Sequence, residues 1–128
     1  MIFLDSWIWI EFFSEGKKAN QSEKAIKELD KEGGIISSIT LMEIDYRIRK
    51  KFGERNAEKL IKSIKSFENL EIMPVTEKVA LYASELRNKY YTKNKKEISY
   101  ADSIHLATAI MTGCKVLYSG DPDFKEID

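Results

Sequence analysis

A single cysteine, Cys114, rules out an internal disulfide pair and a cysteine zinc cluster, and it fits a reducing compartment. It is expected as a small buried residue near a helix end. Net charge is also missing: 21 Lys and Arg balance 21 Asp and Glu, so any basic footprint for nucleic acid must be local. No apolar run approaches a membrane span. Met1-Ile2-Phe3-Leu4 is too short for the apolar region of a signal peptide, and Asp5 interrupts it. These absences predict a cytoplasmic protein. No internal repeat, Pro/Gly-rich linker or low-complexity tract divides the 128 residues, which predicts one domain over 1–128 with a real core.

What is present is an alternation of short apolar runs with amphipathic stretches. Ile2–Leu4, Gly34–Ser37, Leu70–Val75 and Lys115–Ser119 read as strands. Trp7–Phe13 reads as a helix capped by Asp5 or Ser6. Ser22–Lys31, Thr40–Lys51, Glu54–Phe67, Thr76–Tyr91 and Ser99–Met111 follow as helices. The inward stripes are Leu60, Ile61, Ile64 and Phe67 in the Glu54 helix, and Val79, Ala80, Ala83 and Leu86 in the Thr76 helix. Strands alternating with helices predict an α/β fold with a parallel, doubly wound sheet. Ligands bind beyond the carboxyl ends of such strands.

Acidic residues gather near those ends. Asp5 follows the first strand, Glu43 lies just beyond the second, and Asp121 and Asp123 follow the last. Asp102 opens the late helix instead, so only the tertiary fold can bring it to the others. Each has an ordinary structural explanation. Asp5 is a candidate N-cap, Thr40-x-x-Glu43 matches a capping box, Ser99-x-x-Asp102 matches its looser form, and Gly120-Asp121-Pro122-Asp123 suits a turn. Capping does not require five carboxyl groups to converge, however. Converging carboxylates repel unless a cation neutralises them. Mg²⁺ and Mn²⁺ prefer such oxygen ligands.

In this order and at these distances the segments resemble the PIN-domain family, and within it the VapC-type toxin ribonucleases. The matching segments are Asp5-Ser6; Ser37-Ser38-Ile39-Thr40 leading to Glu43; Tyr100 to Ala109 around Asp102; and Leu117 to Phe124 around Asp121. The resemblance implies a three-layer domain with a central, mostly parallel sheet of four or five strands flanked by helices. It implies a metal-dependent endoribonuclease with Asp5, Glu43, Asp102 and Asp121 as catalytic carboxylates. The same four, with Asp123, would be ligands to Mg²⁺ or Mn²⁺, and Ser6 and Ser119 would support them. It further implies an RNA substrate, a homodimer and a small cognate antitoxin that silences the enzyme. Two positions depart from the family's pattern. Trp7 stands where many relatives carry Asn, and Phe124 is soon followed by Asp128 where many relatives continue into another strand.

Other readings keep their place. A non-catalytic PIN-like module binding RNA or protein would be signalled by a lost acidic residue, and none is lost. A receiver-type phosphoacceptor would want paired acids at the first strand's exit, where Asp5 stands alone. A haloacid-dehalogenase-like phosphatase would want Asp where Trp7 stands. His105, one turn past Asp102, is expected to be a satisfied helix residue rather than a general base. Arg47, Arg49, Lys50 and Lys51, and Lys89, Lys93, Lys95 and Lys96, are read chiefly as solvated helix ends. Trp7, Trp9, Phe12 and Phe13 divide between core and a dimer or antitoxin surface. Tyr90 and Tyr91 read as packing and rim.

Overall fold

The computed structural model describes residues 1–94 and 98–119. Its elements run β1 (Ile2–Leu4), α1 (Ser6–Phe13), α2 (Ala19–Lys27), α3 (Leu29–Glu32), β2 (Gly34–Ser37), α4 (Ser38–Phe52), α5 (Glu54–Lys65), β3 (Leu70–Met73), α6 (Glu77–Asn94), α7 (Tyr100–Met111) and β4 (Val116–Tyr118). The four strands form one sheet in the order β3-β2-β1-β4, and every pairing is parallel. The strand order reverses beside β1: the chain first builds outward through β2 and β3, then crosses back to lay β4 on the other side.

Alternation along β1 and β2 divides the core into two layers. Ile2, Leu4 and Ile36 face a cluster built with Ile8, Trp9, Ala25, Ile26, Leu29, Ile44, Ile48, Ala57, Leu60 and Ile64. Phe3 and Ile35 face the opposite cluster, with Val79, Ala83, Leu86, Leu106, Ala107, Ala109, Cys114 and Leu117. Helices α1–α5 therefore cover one face of the sheet and α6–α7 the other, which makes three layers. Among the described residues no helix is long and apolar enough to cross a membrane.

Several elements depart from the sequence reading. The helix expected over Ser22–Lys31 starts earlier, at Ala19, and breaks at Glu28. At that junction the Glu28 carboxylate accepts the Tyr118 hydroxyl at 2.9 and 3.1 Å, tying this point of the chain to β4. Gly33, at φ 70°, then turns the chain into β2. Helix α4 begins two residues before Thr40. Its capping box pairs Ser37 with Thr40, not Thr40 with Glu43: Ser37 Oγ accepts from Ile39 N at 2.9 Å, and Thr40 Oγ1 accepts from Ser37 N at 3.1 Å. On α6 the buried stripe is Val79, Ala83 and Leu86, while Ala80 falls outside it and is exposed. Cys114 is buried just past α7, as its surroundings in the sequence suggest.

Candidate active site

Asp5 leaves β1 with extended backbone and caps α1, its carboxylate accepting from Ile8 N at 3.4 Å. Its amide also donates to Tyr118 O at 3.0 Å, which extends the β1–β4 ladder by one rung and sets Asp5 beside the exit of β4. The Ser119 hydroxyl there hydrogen-bonds the Asp5 carboxylate. Asp5 is only 7% exposed. Capping and a role at the sheet's edge thus coincide in one side chain, because the first turn of α1 points at the carboxyl end of β1.

Glu43 reaches the same edge from α4. Released from any capping duty, its Oε1 accepts the Ser6 hydroxyl at 3.1 Å, linking α4 to the start of α1. Asp102 comes from the opposite layer, in the first turn of α7, where its amide is capped by Ser99 Oγ at 3.0 Å. Helix α7 packs on β1, β2, β4 and α4, and so carries Asp102 across the sheet to the other two acids. Its charge acts on both of them.

The electrostatics follow from that meeting. Burial pushes the Asp5 carboxyl up to about 6 against the relief given by Ser119 and the α1 amides, and the Asp102 charge adds to the rise. Burial likewise raises Glu43, the Ser6 hydroxyl opposes it, and Asp102 again adds to the rise. The Asp102 charge is therefore felt by acids of two other elements, each raised chiefly by burial. Among the described residues no three His, Cys, Asp or Glu side chains stand close enough to grip one ion unaided. Asp121 and Asp123, the remaining acids of the expected set, lie outside the described residues. The donor chemistry fits a hard divalent cation: Asp5 and Glu43 offer carboxylate oxygens and Ser6 a hydroxyl, and cationic charge would offset the repulsion of the carboxylates.

His105 is the residue that sequence reasoning misjudged. Expected to be satisfied, it is 3% exposed and neither ring nitrogen has a hydrogen-bond partner among the described residues. Nε2 lies 3.3 Å from Glu43 Oε1, close enough for an ion pair but off the line that an aligned hydrogen bond needs. Burial lowers its pKa to about 4, so the ring is neutral near pH 7 and the contact is not a salt bridge. The one signal available in the sequence was its place on the Asp102 helix, one turn on.

The PIN domain family model matches residues 2–128. No curated protein matches the sequence. Solved structures do share the fold. VapC20 of Mycobacterium tuberculosis, described as a sarcin–ricin loop cleaving toxin, aligns with a TM-score of 0.78 at 18% identity, covering 99% of this chain and 98% of that one. VapBC2 from Rickettsia felis, bound to a DNA fragment from its promoter, aligns at 0.75 and 24% identity, over 96% and 90% of the two chains. A toxin–antitoxin complex from Klebsiella pneumoniae aligns at 0.70 and 22% identity, over 94% and 87%.

Proposed function

The chain belongs to the PIN domain family, and from that premise we propose that it is a divalent-metal-dependent endoribonuclease, the toxin of a VapBC-type toxin–antitoxin pair. The observation that carries the reading is the electrostatic meeting of Asp5, Glu43 and Asp102, from three elements and both helical layers, at the carboxyl edge of the sheet. Three separate caps would not need to share a field. The toxin–antitoxin assignment, an RNA substrate and an antitoxin partner rest on the likeness to VapC20 and the toxin–antitoxin complexes, and a homodimer on the family resemblance of the sequence alone.

Asp5, Glu43 and Asp102 would hold the ion, joined by Asp121 and by Asp123. Mg²⁺ or Mn²⁺ bound there supplies Lewis acidity and the positive charge that phosphoryl transfer demands. The chain's own residues do the positioning. Ser119 and the first amides of α1 orient the Asp5 carboxylate. Ser6 fixes one oxygen of Glu43 and leaves the other for a ligand. Burial of Asp5 keeps the junction poorly solvated, so fixed charge acts strongly on an incoming phosphodiester. Water would attack phosphorus, the P–O3′ bond would break and the 3′ oxygen would take a proton, leaving 5′-phosphate and 3′-hydroxyl ends.

Purified protein with labelled single-stranded RNA should cleave in Mn²⁺ and stop in chelator. Asp5→Asn and Asp102→Asn should each lower the rate by at least about 100-fold, as loss of a principal electrostatic group does. Cleavage that persists unchanged in both variants would remove the catalytic assignment. RNA bound firmly but left intact would favour a non-catalytic binding module.

A further inference from the structure

We propose that His105 is a positioning residue for Glu43: a neutral imidazole carrying its proton on Nε2, which faces Glu43 Oε1 and, with the Ser6 hydroxyl, turns Oε2 toward the cation site. This inference rests on the metal reading above. Its grounds are geometric. Two donors approach the same carboxylate oxygen, Ser6 Oγ at 3.1 Å and His105 Nε2 at 3.3 Å, and they come from different layers of the fold. A carboxylate held twice at one oxygen presents the other, and partners of this kind tune a ligand's orientation and basicity.

The burial of His105 needs a reason of its own. An imidazole that is 3% exposed with no aligned partner among the described residues carries a desolvation cost that an apolar residue would avoid. One face of its environment is the Phe3 ring, 5.4 Å away between centroids, and an aromatic residue would fill that space without the cost. The 3.3 Å approach of Nε2 to Glu43 Oε1 is what distinguishes histidine from such a filler. A small shift of the Glu43 carboxylate, as ion binding would impose, brings donor and acceptor into line.

The test separates packing from donation. His105→Phe keeps a ring against Phe3 and removes the donor, whereas His105→Gln loses the ring and keeps an N–H at comparable reach. Mn²⁺ affinity by titration calorimetry is expected to fall about tenfold in His105→Phe, the size typical of losing a ligand's supporting partner, and to stay within about threefold of wild type in His105→Gln. Wild-type affinity in His105→Phe overturns the inference, as does a loss in His105→Gln greater than that in His105→Phe. Absence of Mn²⁺ binding by the wild-type protein instead overturns the metal reading on which both depend. Should a variant fail to fold, long-range ¹H–¹⁵N correlation on the wild-type imidazole still decides: the Nε2–H tautomer is expected, and the Nδ1–H tautomer overturns the inference.

Discussion

Asp5 carries an electrostatic cost that the fold accepts. Its carboxyl rises from 3.8 to about 6 in the folded chain, so the folded state binds its proton more tightly than the unfolded state does. Stability from this group is therefore fully present below pH 4 and is lost as pH rises through 6, a loss of about 3 kcal/mol at neutrality. Asparagine is an equally good N-cap. Asp5→Asn should thus raise the melting temperature at pH 7 by several degrees while lowering the cleavage rate at least about 100-fold. A fall in melting temperature would mean that capping by the carboxylate outweighs its burial. His105 acts in the opposite sense. Its pKa falls from 6.5 to about 4, so its contribution is fully present above pH 6.5 and is lost as pH falls toward 4. The two oppose each other between pH 4 and 6.5, and the raised Glu43 carboxyl adds to the Asp5 side. In Asp5→Asn the stability should climb with pH across that window, and in His105→Phe it should decline. Parallel profiles in all three proteins, measured by thermal melts in metal-free buffer, would contradict both assignments.

At the scale of elements, much of the site was legible in the chain because strand exits announce themselves. Ile2–Leu4 is a run of three buried residues, and an Asp-Ser pair directly after it can only be a cap, a ligand or both. Glu43 was harder to read. Thr40 and Glu43 stand at capping-box spacing, but α4 starts two residues earlier, since Ser37 and Thr40 satisfy each other. Local spacing fits both frames; the extended backbone of Ser37 at the end of β2 selects one of them. The tie of Glu28 to β4 was invisible for another reason. Its partner Tyr118 is 90 positions away, and nothing local marks the pair. His105 belongs to the same class, because its nearest acid is on another helix. The frame of α4 has a measurable consequence. Thr40→Val should cost about 1–2 kcal/mol in denaturant unfolding, by removing the acceptor of a buried Ser37 amide. Glu43→Gln should cost no stability. The reverse ranking would restore Glu43 to the cap.

For the whole molecule, the important feature is that the acids are contributed by both sides of the sheet. Asp5 and Glu43 come from the start of α1 and from α4, in the layer packed on Ile2 and Leu4. Asp102 comes from α7, in the layer packed on Phe3. On the proposed reading, a cation held among them would link the two layers and stabilise the fold as a unit. Saturating Mn²⁺, at about 100 times its dissociation constant, should therefore stabilise the wild-type protein by about 2.7 kcal/mol. In Asp102→Asn the gain should be much smaller. An equal gain in both proteins would assign the bound ion to another place.

The most direct measurement is anomalous difference density at the manganese edge from crystals of the protein soaked in Mn²⁺. The account predicts a peak bounded by carboxylate oxygens of Asp5, Glu43 and Asp102 together. A map without that peak, or with manganese held by only one of the three, would contradict it.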